Sequence, residues 1–285
     1  MTTWENPSLL DRAEEQRGDE ARLDRLWSAP GARVLAVAAD GRVAWTDGRL
    51  GYRPAAGERD GRHLLAGLVA GVPVFLETGG DPEQSVGLRA VMDGLDQDDL
   101  QVAFTAAVLV DWHRRARFCG ACGRPTEVTR AGAGRLCTGC GVEHYPRVDP
   151  AVIVAVTDTA DRLLLGRQPV WAAGRVSVFA GFVEAGESLE QAVHREVFEE
   201  VGLRLGRPRY LGSQPWPFPR SMMLGFAAQA RGTELTLDST EIEEARWFTR
   251  DELTAALDAG EVSLPMPTSI AHRMITAWRA GRLDG

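Results

Sequence analysis

The four cysteines of this 285-residue chain all lie between positions 119 and 140. Cys119, Cys122, Cys137 and Cys140 are spaced C-x2-C-x14-C-x2-C. A glycine follows each pair, Gly123 and Gly141, and lets the backbone turn so that its amides face the thiolates. Two such pairs supply the four thiolates of a tetrahedral Zn2+ site, one ion per chain, and a closed shell of four thiolates leaves no open position for substrate. The expected role is structural. Disulfides or a redox C-x-x-C are the poorer readings, because two pairs occur together. The acidic N-terminus, MTTWENPSLLDRAEEQRGDE, also lacks the basic-then-apolar layout of a signal peptide. His144 is close to the last cysteine, but the shell is already complete, so it reads as a surface residue. Ribbons of this kind can bind nucleic acid; here Arg124, Arg130 and Arg135 are few for that purpose.

The ribbon divides the chain into residues 1–117, 118–146 and 147–285. Hydrophobic residues make up 44% and charged residues 25%, as in an ordinary globular protein. No apolar run approaches the ~18 residues that span a bilayer, so a cytoplasmic protein with no membrane partner is expected. The formal net charge is −8, which removes any general electrostatic reason for tight nucleic-acid binding. A polyanionic substrate would need metal ions and a few placed arginines to offset repulsion. There is no lysine, and every basic side chain is an arginine; no function is read into that.

Residues 181–203, GFVEAGESLEQAVHREVFEEVGL, carry the chemistry. Gly181, Glu187, Arg195, Glu196, Val197, Glu199, Glu200, Gly202 and Leu203 fit the pattern G-x5-E-x7-R-E-U-x-E-E-x-G-U, where U is bulky and apolar. Residues three and four apart share a helix face, so Glu196, Glu199 and Glu200 project together and repel unless a cation sits among them. Val193, Val197 and Val201 form a second stripe that packs the helix onto a core. Gly202 suits the left-handed position that ends a helix. Hard oxygen ligands select Mg2+ or Mn2+, which bridge carboxylates to substrate phosphates. A solvated acidic face is the plainer alternative, and the flanking Gly181, Glu187 and Arg195 argue against it. At this match the chain resembles a Nudix hydrolase.

Around these motifs the periodicity gives a coarse map. Residues 33–38 and 42–46 read as strands flanking an Asp40-Gly41 hairpin turn, and Val72–Leu76 as another strand. Leu100, Phe104, Val108 and Trp112 mark a helix over 98–118. Past the ribbon, AVIVAVT at 151–157 reads as a buried strand, followed by LLLG, the acidic helix from Leu189 to Val201, and strands at 209–213, 222–230 and 243–248. Helices follow from about Arg250 and over 268–280, the latter with Ile270, Met274, Ile275 and Trp278 inward. This alternation indicates an α/β chain with a mixed sheet covered by helices.

A second motif narrows the family. Residues 213–221 read SQPWPFPRS; three alternating prolines fix φ and bar a helix or a central strand. Trp216 and Phe218 are thereby held rigid, suited to stacking on a nucleobase or nicotinamide ring, although such aromatics also serve as core filler. With the ribbon before it and the acidic helix 11 residues upstream, this loop makes the chain similar to the NADH pyrophosphatase (NAD diphosphatase) branch of the Nudix superfamily.

The resemblance implies a C-terminal Nudix α/β/α sandwich with a mixed sheet, a four-cysteine zinc ribbon and a divergent N-terminal Nudix-like α/β domain. It implies hydrolysis of NAD(H) to nicotinamide mononucleotide and AMP, dependent on Mg2+ or Mn2+, with more than one ion at work, in a homodimer. Carried onto this sequence, Glu196, Glu199 and Glu200 are metal ligands or handle the proton of water, and Glu241 is a further ligand with Glu243 and Glu244 as rivals. The carbonyl of Ala180 completes a metal shell. Gln214, Pro215, Trp216, Pro217, Phe218, Pro219, Arg220 and Ser221 line the dinucleotide site, with Tyr145, Ala271 and, more weakly, Arg89 as further substrate contacts. Other readings keep the catalyst and change the substrate: NAD-capped RNA, whose scissile bond is identical, or ADP-ribose and dinucleoside polyphosphates. A ribbon-based binding module with a dead Nudix domain is a reading from another class, opposed by the intact glutamates.

Overall fold

The computed structural model describes residues 7–80 and 82–283. The chain forms two compact units. One comprises residues up to Val148 together with Trp216–Arg220; the other comprises Asp149–Pro215 and Ser221–Gly285. Among the described residues no helix is long and apolar enough to cross a membrane.

In the first unit, helix α1 (Glu20–Trp27) precedes strands β1 (Arg33–Val37), β2 (Val43–Thr46), β3 (Tyr52–Pro54), β4 (His63–Val69), β5 (Val72–Thr78) and β6 (Ser85–Val86), and the long helix α2 (Gln97–Arg115) follows. Strand β1 is parallel to β5 and antiparallel to β2 and β3, and β2 is antiparallel to β6. Leu23 and Trp27 of α1 bury against Val34, Leu65 and Phe75 of the sheet. The hairpin at Asp40-Gly41 and the strand from Val72 are where periodicity put them. Helix α2 ends at Arg115, short of the expected Phe118, because the chain turns there into the ribbon. The ribbon is a three-stranded sheet of β7 (Thr126–Thr129), β8 (Gly134–Cys137) and β9 (Glu143–His144).

The second unit is built on β10 (Asp149–Thr157), whose apolar run alternates between two cores. It is parallel to β14 (Ser221–Gln229) and antiparallel to β11 (Leu163–Arg167) and β12 (Phe179–Phe182). Strand β13 (Arg209–Trp216) forms one edge beside β14, and β15 (Glu244–Phe248) the other beside β11. Val152, Val154 and Val156 pack with Val193, Val197 and Val201 of helix α3 (Leu189–Val201) on one face. Ile153, Ala155 and Leu163 pack on the other with Leu253 of α4 (Arg250–Asp258) and Ile275 and Trp278 of α5 (Ile270–Arg279). This is the expected α/β/α sandwich. Pro215 sits within β13, an edge strand, where a missing N–H leaves no ladder bond unmade.

Candidate active site

Helix α3 owes its limits to its ends. Ser188 and Gln191 form a capping box at the start, and Gly202 adopts the left-handed conformation at the end (φ 74°). With three valines inward, Glu200 is also carried into the interior, 3% exposed, while Glu196 is half-buried and Glu199 exposed. The three glutamates are therefore graded in depth rather than equally presented. Strand β12 runs against the helix so closely that a Cβ on Gly181 would fall inside the Glu196 carboxylate. That is why the position opening the acidic motif holds glycine.

Arg195 braces this arrangement. Its Nε and Nη2 donate to the two carboxylate oxygens of Glu187 (2.9 and 2.8 Å), Nη1 to Glu196 (2.8 Å) and Glu199 (3.0 Å), and Nη2 also to the Phe182 carbonyl (2.9 Å). These bonds to the Arg195 fork hold the Glu187 carboxyl below its ordinary range and raise the guanidinium's own affinity for its proton.

Glu200 has no such partner. Its Oε2 is buried without a hydrogen bond. Burial first, then the charges of Glu196, Glu241 and Glu199, push its carboxyl up to about 8. Burial likewise raises Glu196, against the pull of Arg195. An orphaned carboxylate oxygen surrounded by like charges suits a hard cation. Both glutamates line a cleft of 480 Å3, together with Ala180, Phe182, Val170 and Glu241. Glu199 is exposed, bonded to Arg195, and not part of the lining. The rivals of Glu241 turn elsewhere: Glu243 pairs with Arg167, and Glu244 lies 4.0 Å from the same guanidinium. Among the described residues, the one set of three or more ligating side chains gathered within 4.8 Å is the four cysteines; the cleft carboxylates are more widely spaced.

Sequence reasoning passed over Phe182, Val170 and Thr240, which also line the cleft. Phe182 is 56% exposed and Val170 87%, and a large apolar residue beside the glycine of an acidic motif was the signal to follow for the first.

The proline-aromatic segment divides its duties. Gln214 is fully buried; its Nε2 donates to the Thr268 carbonyl (2.8 Å) and its Oε1 accepts from the Ile270 amide (2.6 Å), securing the start of α5. Ala271 belongs to the core beneath that helix. Pro217 and Ser221 are buried, Pro215 and Arg220 half-buried, and Pro219 exposed. In the first unit, Trp216 and Phe218 meet edge to face with ring centroids 5.3 Å apart, and the Arg89 guanidinium lies 4.2 Å over Phe218 and 5.8 Å from Trp216. Tyr145 is exposed and donates to Glu143 (2.5 Å). His144 is half-buried rather than a surface residue, since β9 pairs its backbone with Arg135.

The cysteine thiols converge. Cys119 and Cys140 sulfurs are 3.7 Å apart and those of Cys122 and Cys137 3.4 Å; a tetrahedron of four sulfurs around zinc with bonds of about 2.3 Å has edges of about 3.8 Å. Amides of Ala121, Gly139 and Cys140 point at Cys119 and Cys137. The four thiolates fit zinc. The ribbon is also bolted inward. His113 of α2 donates from Nε2 to the Gly132 carbonyl (2.9 Å), and its Nδ1 accepts from Arg135 (3.0 Å). A guanidinium only donates and a carbonyl only accepts, so the imidazole is neutral. Arg135 is buried in this role and Arg130 pairs with Glu14, which removes two of the three arginines that a nucleic-acid reading of the ribbon would use.

Comparison with known proteins agrees with this geometry. Residues 147–266 match the NUDIX domain, and residues 114–145 match the NADH pyrophosphatase zinc ribbon domain. A Mycobacterium bovis protein named NAD-capped RNA hydrolase NudC is 41% identical over 301 residues, covering 95% of this chain and 95% of its own. Proteins of the same name from Stutzerimonas stutzeri and Chromobacterium violaceum are 45% identical over 197 residues (69% of this chain, 68% of theirs) and 40% over 242 residues (83% and 88%). The chain belongs to the NADH pyrophosphatase (NudC) family of Nudix hydrolases.

Proposed function

We propose that this protein hydrolyses the pyrophosphate bond of NAD(H), releasing nicotinamide mononucleotide and AMP, and cuts the same bond where NAD caps the 5′ end of RNA. The observation that carries the proposal is the buried, unpartnered Glu200 among Glu196 and Glu241, behind Gly181, in a chain whose relatives over 95% of its length are named for NAD-capped RNA. Glu196, Glu200, Glu241 and the Ala180 carbonyl would hold the Mg2+ or Mn2+ ions. Bound there, such ions neutralise charge on the pyrophosphate oxygens and acidify an attacking water.

The chain's own residues do the rest. A carboxylate of the 196/199/200 group accepts the proton of water as its oxygen bonds to one phosphorus and the bridging oxygen leaves with the other phosphate. Arg195 keeps the Glu187, Glu196 and Glu199 carboxylates in register and does not touch substrate. Phe182 and Val170 offer apolar surface at the cleft, and Trp216 and Phe218 a rigid aromatic pair for a base or nicotinamide ring. The ribbon, residues 118–146, is structural, catalysis belongs to residues 147–285, and the working unit is a cytoplasmic homodimer.

Substrate preference tests this reading. NADH, NAD-capped RNA and ADP-ribose are offered in competition to the parent and to Trp216→Ala and Phe218→Ala. Loss of preference for the two dinucleotide substrates over ADP-ribose supports the aromatic site. An unchanged ratio would return the loop to core filler and leave only general Nudix chemistry.

A further inference from the structure

We propose that Arg167 is a positioning residue, a second arginine brace that fixes the two walls of the cleft lying outside the acidic helix. Arg195 braces one side, where Gly181, Glu196 and Glu200 stand. Ala180, Phe182 and Glu184 flank Gly181 on that side, and the remaining lining comes from a turn at 168–171 bearing Val170 and a loop at 238–242 bearing Thr240 and Glu241. Arg167, the last residue of β11, reaches both. Its Nη1 donates to the Trp171 carbonyl (3.0 Å), across a turn closed by the Trp171 amide on the Gln168 carbonyl (3.0 Å). Its Nη2 donates to the carboxylate of Glu243, two residues past Glu241. The Arg167 carbonyl accepts from the Glu243 amide (2.9 Å), so the Glu243 end is pinned by backbone and side chain together.

The side chain is mostly buried, 12% exposed, and does not line the cleft. It therefore acts through others. A planar guanidinium can serve a carbonyl on one side and a carboxylate on the other in one fixed geometry; a lysine ammonium cannot hold both directions with the same rigidity. Val170 explains why such a brace is needed. An 87% exposed valine has no core to hold it, and the turn that presents it must be fixed from beneath. Glu241, exposed on its loop, is in the same position.

The inference rests on the proposed function only through Glu241 as a cation ligand, and the test separates the two. Mn2+ is titrated calorimetrically, without substrate, into the full-length zinc-loaded parent, Glu241→Gln, Arg167→Ala and Glu243→Gln. Removing a group that orients a ligand weakens metal affinity by about tenfold or more. Arg167→Ala should therefore weaken Mn2+ binding by about tenfold and raise KM for NADH severalfold. Glu243→Gln should weaken Mn2+ binding with little change in KM, because the Arg167 bond to the Trp171 carbonyl persists. A merely structural role would lower the melting temperature and leave the affinity of the folded protein unmoved. Parent-like Mn2+ affinity in Arg167→Ala and Glu243→Gln, with Glu241→Gln impaired, overturns the brace. Parent-like affinity in Glu241→Gln overturns the ligand role of Glu241 and the brace with it. Should Arg167→Ala fail to fold, Glu243→Gln, altered at a side chain 45% exposed, decides alone.

Discussion

The two larger sheets share one plan and differ at one connection. In each, a strand (β1 or β10) is parallel to one neighbour and antiparallel to two others, and the next strand in sequence (β2 or β11) takes a later strand antiparallel on its outer side. Between β12 and β13 the second unit inserts α3 with its glutamates; between β3 and β4 the first unit has only residues 55–62 and no helix. There the helical cover is supplied by α1, which precedes β1 in the chain, with Trp27 Nε1 bonded to the Gly57 carbonyl (2.9 Å). The same sheet plan thus stands with the acidic helix in this connection and without it. In the proposed function the catalytic carboxylates lie in a single connection, and where the matching connection is short a helix from elsewhere in the chain covers the sheet.

The largest effect should come from the centre of that connection. Glu200→Gln should lower kcat by at least about 100-fold, the scale expected when one preorganised charge is lost from a transition state, with KM for NADH little changed; steady-state kinetics check this. The same substitution should alter stability in zinc-loaded protein to which no Mg2+ or Mn2+ is added. The Glu200 carboxyl releases its proton near 4.5 when unfolded but holds it to about 8 when folded. Between those values the folded state binds more protons, so stability falls as pH rises, by about 1.4 kcal/mol per unit at most. Denaturant titrations at several pH values should show this slope in the parent and lose it in Glu200→Gln. Gly181→Ala comes next. Its methyl group displaces the Glu196 carboxylate, and kcat should drop by up to about 100-fold while the fold is kept, as judged by circular dichroism.

A smaller effect belongs to the first unit. His113 is held neutral, its imidazole pushed down to about 4 by burial against an unfolded value of 6.5. Its contribution to stability is complete above pH 6.5 and is lost as pH falls toward 4, at up to about 1.4 kcal/mol per unit. Zinc-loaded parent should lose stability between about pH 7 and about pH 5.5 more steeply than His113→Gln. The smallest effect is the sharpest test of the comparison. Alanine at Glu58, in the connection that lacks a helix, should leave kcat and KM within about twofold, as is usual for a surface change away from a site. A large loss there would mean that the first sheet retains chemistry of its own.

Much of this was legible because the decisive signals are local. Helix α3 spans Leu189–Val201 as read, since Ser188, Gln191 and Gly202 define its ends within the motif itself. The thiols converge because two knuckles, each closed by a glycine turn, are complete in short segments. What escaped depends on partners far along the chain. Gln214 looks like a substrate contact by its place in the motif, yet its amide is spent on Thr268 and Ile270, more than fifty residues away. Ala271 likewise packs into the core. The separation of Glu241 from Glu243 and Glu244 depends on Arg167 of the neighbouring strand, which pairs with Glu243 and lies 4.0 Å from Glu244. Helix α1 and strand β4 carry local signals that the motif-led map omits: Asp19 caps α1 ahead of Leu23, Leu26 and Trp27 at helical spacing, and His63–Val69 is a nearly continuous apolar run.

The central claim is that the cleft around Glu200 cuts the pyrophosphate of a dinucleotide. Parent protein and Glu200→Gln are incubated with NADH and Mg2+ or Mn2+, and the products are separated and quantified. The parent should release AMP and the reduced nicotinamide mononucleotide in equal amounts, and the variant neither at a comparable rate. Release of free nicotinamide instead, or equal turnover by the two proteins, would contradict it.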